Sequence, residues 1–273
     1  VLDRQLNILF FFATVFVFLL FSEGFEQTRF FVAVFLSILF VTIAFVLNWL
    51  TIDGALSALL FGIISLGFGG LSAATVVLIF FVTSSLLSKS DKNDDLFTIP
   101  FRRDGYQVWS NGFWFALWLI FWFTTDALVF EVAAVSSIAF STADTWSSEI
   151  GGKRVKGTTW MIGSFKKVEP GLDGGVSVAG TASSLVGALL IALIFWAFNS
   201  ELSAGIIVLI ILAGIAGSLI DSLLGNYVQG SKIPKRISAL FNYQITKFDN
   251  NTTNWVSAGS ASLLAICIFL LVF

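Results

Sequence analysis

Apolar runs of nearly twenty residues recur along this chain, and nothing else about it limits the fold so strongly. They lie at roughly 6–21, 30–47, 54–68, 71–88, 107–123, 126–143, 176–198, 203–222 and 254–272. A helix needs about 20 mostly apolar residues to cross the hydrocarbon core of a bilayer. Lipid satisfies no backbone polar group, so each span must be a helix or part of a closed barrel. These runs lack the alternation of barrel strands. Composition agrees: 57% of residues are hydrophobic and 12% charged, with a mean hydropathy of +0.92. The expected fold is all-α and polytopic, with about nine transmembrane helices in a single integral membrane domain over 1–273. Within it, 1–29 forms a peripheral first helix and 30–273 the helical core that carries any catalysis. The 54–68 run is short enough to span or to re-enter. The first run ends in Phe-Ser-Glu-Gly-Phe-Glu without a small-residue cleavage site, so it reads as a retained helix rather than a signal peptide.

Nine crossings put alternate loops on one side, and the basic residues test that division. One side collects Arg4, Lys89, Lys92, Arg102, Arg103, Lys153, Arg154, Lys156, Lys166, Lys167, Lys232, Lys235, Arg236 and Lys247, while the other keeps only Arg29 of the 15 Lys and Arg. Lys and Arg concentrate in cytoplasmic loops, which predicts a cytoplasmic N-terminus, an external C-terminus and residence in a prokaryotic plasma membrane. The connections near 89–106, 144–175 and 223–253 are long and share the basic side, where functional loops are expected.

Several chemistries are excluded by residue type. The chain has no His and one Cys, which removes Ser-His and Cys-His mechanisms and His-based metal motifs. Cys267, inside the last apolar run, reads as a small buried apolar residue. A net charge of -2 gives no basic face for a nucleic acid.

What remains is a set of carboxylates, hydroxyls and glycines at the basic-side ends of the runs. Ser141-Thr142-Ala143-Asp144-Thr145-Trp146-Ser147-Ser148-Glu149-Ile150-Gly151-Gly152 closes the sixth run. Asp144 shares a helical face with Ser141 and Ser148. Glu149 falls about 140° further round, so the two carboxylates reach one ion only if the helix ends between them, an ending that Gly151 and Gly152 favour. The plainer reading of this stretch is a solvated helix terminus. Lys166-Lys167-Val168-Glu169-Pro170-Gly171-Leu172-Asp173-Gly174-Gly175-Val176-Ser177 enters the seventh run. Glycines before a helix N-terminus, with two lysines upstream, make either a phosphate cradle or an ordinary turn and cap. Gly217-Ser218-Leu219-Ile220-Asp221-Ser222 repeats the lone Asp among hydroxyls, and Asp249-Asn250-Asn251 adds further oxygens. Hard oxygen ligands suit Mg²⁺. Arg102-Arg103 is either an anion clamp or a topological anchor. Asp53-Gly54-Ala55-Leu56-Ser57 and Asp173-Gly174-Gly175-Val176-Ser177 open similar stretches, and this similarity suggests two parallel four-helix repeats or chance recurrence of small-residue motifs. Carboxylates for a metal, cations for phosphates and no histidine base suit phosphoryl transfer to an acceptor that is already an anion, which needs positioning and charge neutralisation more than a base.

At these residues the chain resembles the integral-membrane family that includes plant phytyl-phosphate kinase and the animal transmembrane protein nineteen. The resemblance rests on Ala143-Asp144-Thr145-Trp146-Ser147-Ser148-Glu149-Ile150-Gly151, Pro170-Gly171-Leu172-Asp173-Gly174-Gly175-Val176-Ser177, Gly217 to Gly225 and Asp249-Asn250-Asn251, with weaker matches at Asp53 to Ala58, Arg103 to Val108 and Asn111-Gly112. It covers roughly residues 50–265. The chain is also distantly similar to CTP-dependent polyprenol kinases and phosphatidate cytidylyltransferases. The resemblance implies a Mg²⁺-dependent kinase that makes prenyl diphosphates from prenyl monophosphates with CTP as co-substrate, its active site facing the cytoplasm. The residues expected to act are Asp144, Glu149, Asp221 and Lys167, with Asp249 joining the three carboxylates as a metal ligand. Ser148, Lys166, Gly171, Asp173, Gly174, Gly175, Ser177, Ser222, Arg102, Arg103, Asn250 and Asn251 are expected to hold nucleotide and substrate. Leu172 stands where the family carries Thr or Ser. A lipid or small-molecule transporter or flippase, or a related cytidylyltransferase, is the alternative. Transporters place polar ligands near the midplane, whereas Asp144, Glu149, Asp173, Asp221 and Asp249 map to one interface and only Glu131 sits deeper, on the external half.

Overall fold

A computed structural model describes residues 2–89, 102–154, 157–233, 238 and 247–273. Lys92, Lys156, Lys235 and Arg236 of the charge division lie outside the described residues, as does the Lys89 side chain. Nine α-helices appear among the described residues: α1 Leu2–Phe21, α2 Phe25–Val46, α3 Ile52–Gly67, α4 Gly70–Lys89, α5 Gly105–Thr125, α6 Leu128–Trp146, α7 Val178–Phe198, α8 Ala204–Tyr227 and α9 Asn250–Val272. Seven of them are long and apolar enough to cross a membrane. The other two, α3 and α5, coincide with the expected runs at 54–68 and 107–123 but fall outside that set of seven. α3 is one continuous helix of 16 residues, about 24 Å long at 1.5 Å per residue and shorter than the roughly 30 Å hydrocarbon core. α5 begins with polar turns that carry Gln107, Ser110 and Asn111.

The bundle is built around α6, buried at every residue from Glu131 to Ala143. Its sequence explains why: Ala133, Ala134, Ser136, Ser137, Ala139, Ser141 and Ala143 present little bulk, so neighbouring backbones can approach closely. Gly214 of α8 faces Ala139, and Gly187 of α7 faces Thr142 and Ala143. Three of the four hydroxyls in this stretch do not oppose the burial, and Ser136 Oγ is the one without a partner among the described residues. Ser137, Ser141 and Thr142 donate to carbonyls of the preceding turn at 2.7–3.1 Å, which satisfies them without a partner from outside.

α1 is largely exposed and docks through Phe10, whose ring stacks on Trp109 of α5 at 4.4 Å. Trp109 Nε1 donates to Asn7 Oδ1 at 2.7 Å. Arg29 has a structural task at the far end of the bundle. Its guanidinium donates to the carbonyls of Gly67 and Phe68 at 2.9 and 3.1 Å, placing a cation on the last, otherwise orphaned carbonyls of α3. Cys267 is exposed on the outer face of α9 rather than buried.

Two further departures concern the loop expected at 144–175. The chain does not leave the helix near Gly151: it widens into a π-helical segment, Ser147–Arg154. Beyond it, β1 Thr159–Met161, β2 Lys167–Val168 and β3 Gly175–Ser177 form a small sheet in the order β2-β1-β3, a local addition to an otherwise all-α fold. Both pairings are antiparallel, with Trp160 opposite Lys167 on one side and Val176 on the other. The two Asp-Gly motifs also differ locally, Asp53 lying in the first turn of α3 and Asp173 in the turn before β3.

Candidate functional site

The C-terminal ends of α4, α6 and α8 and the N-terminal ends of α5, α7 and α9 surround a polar cavity of about 260 Å³. Of the residues expected to act or bind, Asp144, Ser148, Glu149, Gly171, Asp173, Gly174, Gly175, Ser177, Asp221, Ser222, Arg103, Asn250 and Asn251 line it, although they come from five separate stretches of chain.

Asp144 on α6 and Asp221 on α8 stand within electrostatic reach of each other. Asp221 Oδ1 accepts from Ser257 Oγ of α9 at 3.1 Å. With its amide nitrogen turned inward, Asn254 donates to the same oxygen at 3.2 Å and to the Asn250 carbonyl at 3.1 Å. Among the described residues no ion pair reaches either carboxylate, and both line the cavity.

Glu149, one turn further along the π-helical segment, is 8% exposed. It accepts from Ser88 Oγ at 3.0 Å and pairs with Lys153 Nζ at 2.8 Å. The wide turn separates it from Asp144, whose partner is Asp221, so Glu149 belongs to the cationic side of the cavity. There Arg103 donates from Nη1 to Ser85 Oγ at 3.0 Å and lies over the rings of Phe80 and Phe81. Its backbone is fixed on both sides, N–H to the Trp49 carbonyl at 2.9 Å and carbonyl from Thr51 N–H at 3.1 Å. Burial pushes the guanidinium down to about 10, while the Glu149 charge pulls the other way. Arg103 therefore stays cationic at neutral pH.

The glycine turn is held over the cavity by the sheet and by the end of α8. Gly171 and Gly174 adopt φ +86° and +78°, the left-handed region that favours glycine. At Gly174 a side chain would also strike Asn226, whose backbone N lies 2.9 Å from the Cβ position. Asn226 Nδ2 donates to the Ile162 carbonyl at 2.9 Å, and Gln229 Nε2 donates to Asp173 Oδ2 at 2.7 Å. Among the described residues the N–H groups of Gly171 and Asp173 have no partner, so the turn presents donors to an anion. Ser177 caps α7, accepting from Gly180 N–H at 3.1 Å, which makes its hydroxyl a structural group first.

Four expected residues are not brought into the cavity. Lys166 and Lys167 are exposed at and beside β2. Arg102 donates to Asn48 Oδ1, and Asp249 caps α9 by accepting from Thr252 N–H at 2.8 Å. Lys153, Gln107, Asn111, Gln229 and Asn254 line the cavity instead. Polar residues inside or beside an apolar run were the available signal for Gln107, Asn111 and Asn254. Gln107 also completes a capping box with Asp104, the two bonds being 2.8 and 3.2 Å.

The cavity's fit to a metal can be judged from its donors. Among the described residues no group of three or more acidic side chains gathers as a cage. Two carboxylates with amide and hydroxyl neighbours instead suit Mg²⁺, which commonly takes one or two carboxylates and fills its remaining positions with water and substrate phosphates.

A helical integral membrane protein with a polar, two-carboxylate pocket at one end of its bundle is the class that fold and site define. The chain belongs to the family described as integral membrane protein DUF92, whose model matches residues 35–262. It is 32% identical over 183 residues to the uncharacterized membrane protein MJ0933 of Methanocaldococcus jannaschii, covering 63% of this chain and 72% of that one. It is 30% identical over 239 residues to Protein PGR of Arabidopsis thaliana, covering 71% of this chain and 81% of that one. No solved structure matches the chain.

Proposed function

We propose that this protein is a membrane-embedded phosphotransferase that moves the terminal phosphoryl group of a nucleoside triphosphate, CTP, onto a prenyl monophosphate. The observation that carries this reading is the convergence of Asp144 and Asp221, Arg103, Lys153 and the glycine turn 171–175 on one cavity. In the reaction an oxygen of the acceptor phosphate forms a bond to the γ-phosphorus while the bond from that phosphorus to the β–γ bridging oxygen breaks. The nucleoside diphosphate leaves with that electron pair. No proton need be removed from an ionised acceptor, so positioning and charge neutralisation dominate. Asp144 and Asp221 would hold Mg²⁺, which when bound neutralises phosphate charge. The donors of the glycine turn receive the nucleotide phosphates, while Arg103 receives the acceptor phosphate through a planar fork suited to phosphate. Ser257 and Asn254 orient Asp221.

The same reading takes the side rich in Lys and Arg as cytoplasmic, which gives the cavity access to soluble nucleotide, and takes α3 and α5 as crossings alongside the seven long apolar helices. Purified protein in nanodiscs with Mg²⁺, γ-labelled CTP and geranylgeranyl monophosphate is expected to yield labelled diphosphate. Absence of transfer with CTP and ATP across several prenyl chain lengths would overturn the proposal. Nucleotide-independent movement of a lipid phosphate between leaflets would favour the transporter reading instead.

A further inference from the structure

A second cavity, of about 410 Å³, lies between α2 and α4 over α3, within the roughly 300–1,000 Å³ typical of ligand cavities. We infer that it seats the hydrocarbon chain of the lipid phosphate whose headgroup Arg103 receives, an inference that rests on the phosphotransfer reading and names where its lipid substrate lies. The two cavities adjoin: Phe80, Arg103, Gln107 and Asn111 line both. Away from that junction the walls are almost entirely apolar, with Leu39 and Ile43 on α2, and Ala74 and Leu78 on α4. Arg103 is the one charged residue among those lining the apolar cavity.

This charge arrangement selects the occupant. A soluble anion would use Arg103 and leave the apolar space unfilled, whereas a neutral hydrocarbon would fill the space and leave the cation unused. A molecule with an anionic head and a long apolar chain satisfies both. Among the described residues Arg103 spends only Nη1 on protein acceptors, which leaves the rest of its donor fork for a phosphate. Dimensions agree as well. Lining residues on α4 run from Leu71 to Phe81, about 15 Å at 1.5 Å per residue and half of a roughly 30 Å hydrocarbon core. The chain thus lies along one leaflet's depth with its head at the polar end. Near that end the Phe40 and Phe81 rings meet edge to face at 5.6 Å, so together they close the gap between α2 and α4 and form one wall of the cavity.

The test uses the full chain in nanodiscs and a geranylgeranyl monophosphate carrying a photoreactive diazirine on its tail, without nucleotide, with adducts located by mass spectrometry. Adducts are expected on Leu39, Ile43 and Leu78, competed by unlabelled geranylgeranyl monophosphate and not by geranylgeraniol or a diacyl phospholipid. Arg103→Gln should remove the advantage of the phosphate over the alcohol. Ala74→Phe and Ala58→Phe, which fill the cavity at separate walls, should each lower competed labelling at least about tenfold if their thermal unfolding matches wild type. If neither variant folds, competed labelling of the wild type decides alone. Adducts spread over the outer faces of α1 and α7, or competed equally by the alcohol or the diacyl lipid, would overturn the inference. Competed labelling at α2 and α4 without phosphate transfer would refute the phosphotransfer reading and keep the lipid seat. Transfer with adducts elsewhere would do the reverse.

Discussion

Gly151 of the π-helical segment meets Gly180 in the first turn of α7 so closely that a Cβ on Gly151 would lie 2.5 Å from the Gly180 backbone N. Backbone cannot turn aside as a flexible side chain can, so Gly151→Ala should force the two segments apart and lower stability by about 1–3 kcal/mol. A Cβ on the neighbouring Gly152 would meet nothing nearer than 3.4 Å, an ordinary contact, so Gly152→Ala should leave stability unchanged. Thermal unfolding of both variants in detergent checks the contrast.

Asp144 and Asp221 share the cavity, while Ser257 only steadies Asp221. Asp144→Asn and Asp221→Asn should each lower kcat at least about 100-fold. Ser257→Ala removes an outer partner of the carboxylate and should cost about 10–100-fold in Mg²⁺ affinity or activity, recoverable in part by raising Mg²⁺. Steady-state kinetics over a Mg²⁺ titration separates these outcomes.

The pH response of Arg103 follows from a folded-state value pushed down by burial to about 10, below the ordinary guanidinium range. Below about 10 it is protonated both folded and unfolded, so it adds no pH dependence to stability and the cost of its burial is constant. Above about 10 the unfolded chain binds more protons until its own guanidinium titrates, so stability from this group rises with pH over that window. Binding of a lipid phosphate behaves oppositely, holding steady from neutral pH to about 9 and weakening as pH passes 10. Labelling competition across that range, with Arg103→Lys as comparison, tests the sign.

Glu149 is buried whereas Lys153 keeps 50% side-chain exposure. Lys153→Ala should therefore change stability by no more than about 1 kcal/mol. Glu149→Gln, which removes a charge from the Arg103 side of the cavity, should impair phosphate transfer more than it alters unfolding. Activity and thermal unfolding measured on both variants distinguish the two effects.

The sequence by itself determined the helical membrane fold, because twenty-residue apolar runs permit no other way of satisfying their backbone. It also marked Asp144, Asp221, Arg103 and the glycine turn, since charges and clustered glycines at the ends of such runs need a specific reason. Other features depended on the tertiary structure. Periodicity could not show that the helix would widen after Trp146, that Lys166 and Lys167 would be left exposed beside a small sheet, or that Asp249 would be taken up as a helix cap. Nor could it show that Arg103 would join a polar cavity to an apolar one. Such outcomes depend on which helix ends meet and which side chains compete for the same space, and residues far apart in sequence settle that only when they pack.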